Sequence, residues 1–265
     1  ATAIADGDTQ PSNNAMLLIV DPELTRLPVP TGFKGALNSV GQAELSWNAP
    51  TAKFCPSVNE TFDLGKTFEP SYNDWIFIDR DEMPVGKYYF TFTIPNLTPG
   101  ETKTSWTVWN GNGTQSGYGD YFLGVSDDYS LVAYYREDYG ECDDWAITPE
   151  LDGSAQTVSF KARGLFMAMP PVFDVYYSMG GTDPKDFIAV PGMTDLKPIP
   201  AFWTTYYARI PEGARRLAFR SRIKDSETML QIDDVCYVSA TQADVVPAGY
   251  NLYRDGEAAF TTPEL

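Results

Sequence analysis

The sequence predicts an all-β protein, and three observations lead to this prediction. The 265 residues include 21 Gly and 20 Pro, which interrupt the chain at short intervals. Between these breakers, apolar or β-branched residues alternate with polar ones in short runs, a spacing typical of half-buried strands. Few stretches of ten residues keep a helical apolar period without a breaker. Hydrophobic residues make up 43% of the chain and aromatic residues 14%, which is enough for a packed core.

The strand-like runs are most regular between residues 56 and 240. About ten of them follow one another with turn residues between, and this pattern predicts a two-sheet jelly-roll sandwich. The runs lie at residues 75–81, 87–95, 105–109, 121–125, 131–135, 143–151, 157–163, 172–178, 202–207, 216–220 and 230–238.

Charge and composition exclude several classes of function. The 36 acidic residues outnumber the 19 basic ones and give a net charge of −17, which opposes nucleic-acid binding. The chain has no histidine, which excludes Ser-His-Asp catalysis and His-ligated zinc. No apolar run of about 18 residues is present, so membrane insertion is not predicted. No nucleophile elbow, phosphate loop or HExxH motif is present either, so we do not predict an enzyme; a carboxylate-pair glycoside hydrolase is the less favoured alternative.

The two ends of the chain resemble parts of one fibronectin type III domain. Residues 27–34 and 43–50 are similar to its strands A and B, with Trp47 as the core residue before Pro50. The motif of strand C appears about two hundred residues later, at 249–256. This order predicts a type III domain, incomplete in this sequence, whose B–C connection holds an inserted domain. The predicted segments are a flexible leader at 1–26, a type III-like first part at 27–54, the inserted jelly roll at 55–240 and the second part at 241–265.

The inserted segment resembles the cleaved-adhesin family of surface haemagglutinins and gingipain adhesin regions of Bacteroidetes. The resemblance rests on an ordered set of motifs: Trp106 and Trp109, Leu131-Val-Ala-Tyr-Tyr, Asp144-Trp-Ala-Ile-Thr-Pro-Glu-Leu, Phe173-Asp-Val-Tyr-Tyr-Ser, Leu217-Ala-Phe-Arg and Gln231-Ile-Asp-Asp-Val. It implies a jelly roll with structural calcium and an extracellular adhesive or carbohydrate-binding role. One motif departs from the family: Ile78-Asp-Arg-Asp-Glu82 lacks the glycines of the family's Asp-Gly-Asp-Gly run.

The last strand of the insert carries an acid pair in an apolar context. Simple alternation places Leu230, Ile232 and Val238 on one face, together with Asp234 and Cys236. A buried carboxylate needs a partner, a cation or a bulge that turns it outward. Alternatively, a bulge shifts the parity and Asp233 points inward instead.

These acids are the first candidates for a calcium site, because Ca²⁺ takes six to eight hard oxygen ligands. The first and last strands of a jelly roll can lie side by side, so the favoured pairing is Glu69 with Asp233 or Asp234. Further candidate ligands are Asp63, Asp79 and Asp81. The neighbouring acids Asp143 and Asp144 are expected at a strand-entry turn, with Asp144 capping backbone amides.

Candidate ligand-binding residues are the tyrosines in loops rich in Gly and Asp, namely Tyr118, Tyr129 and Tyr139. The tryptophans within strand patterns are expected to be mostly core residues. Cys55 and Cys236 flank the insert; they either form a disulfide or, as we slightly favour, Cys236 is a small core residue.

Together these features predict a secreted or cell-surface bacterial module that binds host protein or glycan and contains structural calcium. It would be a monomeric unit of a multidomain protein. The alternative is a calcium-stiffened structural spacer of a longer surface protein.

Overall fold

The structure is a computed structural model. It describes residues 30–40, 42–48, 53–64, 69–87, 97–111, 123–125, 128–165, 170–198, 202–225, 228–244, 250–254 and 257–262. Contacts divide the chain into two units, one of residues 55–241 and one formed by the segments on either side. These boundaries lie within one residue of the predicted ones.

The larger unit is built from strands. They are β4 (Ser57–Glu60), β5 (Ile76–Asp79), β6 (Trp106–Asn110), β7 (Tyr129–Tyr134), β8 (Asp144–Ile147), β9 (Gln156–Gly164), β10 (Phe173–Ser178), β11 (Ile188–Ala189), β12 (Thr204–Ile210), β13 (Arg216–Ser221) and β14 (Met229–Val238). A 3-10 helix, Pro184–Asp186, precedes β11.

Two antiparallel sheets form the sandwich. One has five strands in the order β11-β10-β13-β8-β5, and the other follows the order β12-β9-β14-β7-β6, with β4 also paired to β14. Strands that are neighbours in the sheets are mostly distant in sequence, as the jelly-roll prediction requires. The predicted all-β jelly-roll sandwich is therefore confirmed.

The main core lies between the sheets and is rich in aromatic rings. Phe160 on β9 is fully buried, and its ring centroid lies 4.8 Å from that of Phe219 and 6.1 Å from that of Phe173. Tyr206 on β12 stacks on Phe160 at 5.3 Å. Burial of side chains of this size stabilises the fold by about 1.5–3 kcal/mol each.

A second apolar cluster covers the opposite face of β6 and β7. Trp109 and Tyr134 belong to this cluster, together with Val85 and Leu97 from the segment between β5 and β6. Strands β6 and β7 are therefore buried on both faces. This explains why their sequences are apolar almost without interruption rather than alternating.

The described residues of the smaller unit form three antiparallel strand pairs. These are β1 (Thr31–Leu37) with β2 (Ala43–Asn48), β3 (Lys53–Phe54) with β15 (Ala243–Asp244), and β16 (Tyr250–Arg254) with β17 (Glu257–Thr262). Trp47 is only partly buried, and its ring stacks on Phe33 with centroids 6.3 Å apart. The type III-like identity of this unit stays a prediction.

In the part of the chain that the structure describes, no helix is long and apolar enough to cross a membrane.

Candidate functional site

The acid pair of β14 lies at a β-bulge. Asp233 pairs with Lys161 on β9 and Cys236 with Ser159, so three steps on β14 match two on β9. Asp234 has a positive φ of 50° at this point. The residues that β14 sends to the core are Leu230, Ile232, Val235 and Tyr237. The prediction from simple alternation was therefore wrong for the residues after Ile232. The structure shows instead a bulge that turns Asp234 outward, which was one of the alternatives considered.

Asp233 points away from the sandwich core but is nevertheless fully buried. Its Oδ2 accepts a hydrogen bond of 2.6 Å from the backbone N–H of Val125. The guanidinium of Arg163 lies nearby and donates to Gln231 Oε1 and to the carbonyl of Leu123. Burial lowers the pKa of Arg163 to about 10, and the Asp233 carboxylate opposes part of that shift. Asp233 and Arg163 together hold segment 123–125 over the sheet.

Asp234 forms an ion pair with Lys161. Its Oδ2 lies 2.9 Å from the ammonium nitrogen, and 33% of the lysine side chain and 11% of the aspartate side chain are exposed. The two acids thus have different partners: Asp233 lies near the buried guanidinium of Arg163, and Asp234 pairs with the partly exposed ammonium of Lys161.

The structure does not bring Glu69 to these acids. Glu69 bridges to Val108 on β6, Val108 pairs with Leu131 on β7, and Leu131 aligns with Ile232 on β14. The backbone of Glu69 therefore lies three strand spacings, about 14 Å, from β14. The other early candidate, Asp63, is exposed.

As predicted, a strand from the start of the insert pairs with β14, and this strand is β4. This strand brings Glu60 opposite Val235. The carboxylate of Glu60 accepts hydrogen bonds from the backbone N–H of Phe62 and from the hydroxyl of Tyr72. Glu60 is thus a hydrogen-bond acceptor within the fold that the sequence analysis missed.

Asp79 and Asp81 belong to a different cluster, which contains Asp144. Asp79 ends β5 directly opposite Asp144 on β8. Asp81, Cys142 and Asp144 each place one ligand atom within 4.8 Å of the others, the one such group of three among the described residues. Two carboxylates at opposed positions on neighbouring strands repel each other unless a cation lies between them.

Backbone amides position two of these carboxylates. Asp79 Oδ1 accepts from Glu82 N at 2.7 Å, and the two oxygens of Asp81 accept from Met83 N at 3.0 Å and Asp143 N at 2.9 Å. This turn requires a positive φ of 51° at Glu82. The family resemblance led us to expect glycines in this turn. Here the turn is formed without them, with Glu82 at positive φ and with hydrogen bonds from backbone amides to Asp79 and Asp81.

Asp144 is the exceptional member of the cluster. Its side chain is buried, and Oδ1 has no hydrogen-bond partner among the described residues. Burial, followed by the charges of Asp81 and Asp79, raises the pKa of Asp144 well above its usual value. Burial also raises the pKa of Asp79. Arg136, whose Nε lies 4.0 Å from Asp81 Oδ1, offsets this repulsion in part.

The prediction that Asp144 caps backbone amides at a turn was wrong. Asp144 is the first residue of a buried strand, whereas its neighbour Asp143 makes the expected polar contacts. Asp143 Oδ1 accepts from Trp145 Nε1 at 2.8 Å and from Arg220 Nε at 2.7 Å.

The donor set of this cluster fits a hard cation. Carboxylate oxygens are the ligands that Ca²⁺ prefers. The thiol of Cys142 is engaged as a donor to the carbonyl of Tyr134, and burial raises its pKa. Cys142 is the one sulfur donor of the group and the chain has no histidine, whereas zinc prefers several sulfur or nitrogen ligands. The cluster of Asp79, Asp81 and Asp144 therefore suits calcium better than a softer metal.

The predicted ligand-binding tyrosines do not share one environment. Tyr118 lies outside the described residues. Tyr129 belongs to β7 and packs against the main core. Tyr139 is 42% exposed, and its ring packs on Tyr135 with centroids 5.5 Å apart. The tryptophans expected in the core are buried there or beside it: Trp75, Trp106, Trp109 and Trp145. Trp203 is partly exposed beneath the guanidinium of Arg163.

A cleft of about 590 Å³ lies beside the start of β5 and β13. Its lining includes the acids Asp74 and Glu150 together with Arg216 and Trp75. The Nε–H groups of Arg216 and Trp75 have no partner among the described residues, but protein atoms enclose both. A molecule in the cleft would therefore meet the exposed acids first.

The two cysteines that flank the insert do not form the disulfide that we considered. Cys55, Cys142 and Cys236 are all among the described residues, and none of them is in a disulfide. Cys236 lies opposite Asn59, whereas Cys55 lies four residues before Asn59, about 13 Å along the strand direction. Cys236 is partly buried and donates to Asn59 Oδ1 at 2.9 Å, so it is not a core residue either.

Comparison with solved structures supports the fold. The K2 cleaved adhesin domain of Lys-gingipain is 16% identical to this chain with a TM-score of 0.51, and the match covers 69% of this chain and 97% of that domain. The chain shares the fold of that adhesin domain. The K1 domain of the Porphyromonas gingivalis W83 protein is 20% identical over 69% of this chain and 98% of that domain, with a TM-score of 0.48. The carbohydrate-binding module TmCBM61, solved with β-1,4-galactotriose, is 13% identical over 70% and 95% of the two chains, with a TM-score of 0.38. No protein-family model and no curated protein matches the chain.

Proposed function

We propose that this chain is a secreted or cell-surface module that mediates adhesion by binding host protein or glycan. The observation that carries the proposal is the shared fold with the K2 adhesin domain, which the match covers almost completely. The strongly acidic composition and the complete absence of histidine agree with a module that binds neutral or basic partners rather than one that performs nucleophilic catalysis.

Calcium has a structural role in this proposal. The residues that would hold it are Asp81 and Asp144, which each place a ligand atom within 4.8 Å of the other, and Asp79, which lies opposite Asp144 on β5. Asp144 buries a carboxylate oxygen that has no partner among the described residues. A buried, unpaired carboxylate is costly to a fold, and a divalent cation removes that cost by neutralising it. When bound, the ion would link β5 to β8 and the turn that follows β5. Asp233 and Asp234 are less suited to this role, since a buried guanidinium and an ammonium already face them.

Adhesion is tested by applying the full chain to arrays of immobilised glycans and of extracellular-matrix proteins. We expect saturable binding on at least one of the two arrays. If both arrays stay blank with folded protein, the adhesive role is refuted and the structural spacer remains.

The location of calcium is tested by thermal melts in EDTA and then in excess calcium. The double variant Asp79→Asn with Asp81→Asn should lose the calcium response, and Asp233→Asn with Asp234→Asn should keep it. If instead the Asp233/Asp234 variant loses the calcium response and the Asp79/Asp81 variant keeps it, the calcium site lies on β14. Incubation with sugar substrates should give no turnover, and turnover that is lost on single carboxylate changes would instead support a glycosidase.

A further inference from the structure

The outer face of the six-stranded sheet carries an exposed aromatic side chain among polar ones. Along β12 the side chains alternate, and Ala208 and Ile210 are buried in the core. The opposite face of this edge strand presents Thr205, Tyr207 and Arg209, all exposed. Tyr207 is 53% exposed, although it stands in the middle of an ordered strand.

The strand register places polar side chains in a row beside Tyr207. Tyr207 pairs with Ser159 on β9, Ser159 with Cys236 on β14, and Cys236 with Asn59 on β4. Directly paired residues point to the same face of a sheet, so these four side chains form one row of about 14 Å across three strand spacings. All the members beyond Tyr207 carry a hydrogen-bonding group.

The bulge in β14 adds an ion pair to this row. Without the bulge, Asp234 would follow the alternation into the core; with it, Asp234 joins the outer face and meets Lys161. Lys161 pairs with Thr205 on β12, so the ion pair lies next to the row of Tyr207. A non-glycine residue with positive φ is a strained feature that is often retained where a side chain must be presented in a particular direction.

This strip, defined by Tyr207, Thr205, Ser159, Lys161, Asp234 and Asn59, matches the chemistry of a neutral sugar. A sugar hydroxyl both donates and accepts hydrogen bonds, and the strip offers an ammonium donor and a carboxylate acceptor side by side. The ring of Tyr207 offers an apolar face to the C–H groups of a pyranose. The ion pair neutralises its own charges, and the net charge of −17 opposes a polyanion.

We propose that this strip is a binding site for a neutral oligosaccharide. The inference rests on the proposed adhesive function and gives that function a site and a ligand class. Tyr207 stacks on one sugar ring, and Lys161 and Asp234 together bind hydroxyls of the neighbouring ring. The extended row across four strands favours an oligosaccharide over a single sugar.

The inference is tested by calorimetric titration of the full chain with four neutral oligosaccharides: xylohexaose, cellohexaose, β-1,4-galactotriose and lacto-N-tetraose. A hyaluronan hexamer serves as the anionic comparison. We expect at least one neutral probe to bind, more tightly than the hyaluronan hexamer does. Tyr207→Ala should weaken that binding at least tenfold, whereas Tyr207→Phe, which keeps the ring, should leave it within about twofold.

Two further variants complete the test. Lys161→Gln with Asp234→Asn removes both charges while keeping a polar side chain at each position, and should also weaken binding at least tenfold. Ile188→Ala shortens an exposed apolar side chain on β11, at the edge of the other sheet, and should leave binding unchanged. Thermal melts verify that each variant is folded.

The inference is wrong if the folded wild-type chain binds none of the neutral probes, or if Tyr207→Ala binds as well as wild type. It is also wrong if the loss appears with Ile188→Ala instead. Adhesion to an array of host proteins without any oligosaccharide binding would remove this site while leaving the proposed adhesive function intact.

Discussion

Replacing Asp144 by Asn should affect the chain in opposite ways with and without calcium. The substitution keeps the shape of the side chain but removes the charge. In EDTA at pH 7 the variant should melt at the wild-type temperature or above it, because the wild type must either bury an unpaired charge or hold a proton there. In excess calcium the variant should lose the stabilisation that the wild type gains.

The pH dependence follows from the raised pKa of Asp144. A carboxyl whose pKa is raised on folding holds a proton in the folded state that the unfolded chain releases near 3.8. As the pH rises above that value, the metal-free fold loses about 1.4 kcal/mol per pH unit until the folded pKa is passed. In the proposed site calcium would bind the ionised carboxylates, so its stabilising effect should be larger at pH 7 than at pH 5.

The size of the calcium effect can be worked out from the type of site. Calcium sites of extracellular modules have Kd values of about 10⁻⁴–10⁻³ M. At the tighter limit, 10 mM calcium is about 100 times Kd and adds about 2.7 kcal/mol to the free energy of unfolding. For a unit of 150–250 residues, 1 kcal/mol corresponds to a shift of about 2–4 °C in melting temperature, so a wild-type shift of roughly 5–11 °C is expected.

Differential scanning calorimetry at pH 5 and pH 7, in EDTA and in 10 mM calcium, measures these quantities. Asp143→Asn is the matched control, because Asp143 is the adjacent acid and is paired with Arg220. That variant should be less stable than wild type in both conditions and keep its calcium response. The reasoning would be refuted if Asp144→Asn melted several degrees below wild type in EDTA, or responded to calcium as wild type does.

Three further predictions follow from the packing. Asp233→Ala leaves Arg163 buried without the neighbouring carboxylate and should lower the free energy of unfolding by about 3–5 kcal/mol in denaturant titrations. The same variant should speed hydrogen exchange of the Val125 amide, whose hydrogen-bond acceptor it removes. A decrease in the free energy of unfolding of less than about 1 kcal/mol would contradict the pairing of Asp233 with Arg163. Phe160→Ala, at the centre of the ring cluster, should cost about 3–5 kcal/mol in the same titration. In the folded chain, Cys142 should react with a thiol reagent far more slowly than after unfolding, since burial both covers its thiol and raises its pKa; rapid native-state labelling of Cys142 would show that β8 opens readily.

Of the three acids in the proposed calcium site, the sequence singled out two as candidate ligands. Asp79 and Asp81 were identifiable because they stand together at the end of an apolar strand. Asp144 was missed as their partner because it lies 65 residues after Asp79, and the β5–β8 register alone makes them neighbours. The sequence did contain an indication. Asp144 begins the apolar run Asp-Trp-Ala-Ile, and an acid within an apolar run was also the reason for selecting Asp233 and Asp234.

The sequence by itself determined the fold class and the aromatic core. These follow from local alternation, from breakers and from hydrophobic content, all of which are properties of short segments. Tertiary structure decided which acids are neighbours and which way they point. Strand register over long sequence separations controls both, and a single bulge at Asp234 reverses the facing of every later residue of β14. The side-chain row beside Tyr207 has the same origin, because its members come from four strands that only the folded sheet aligns.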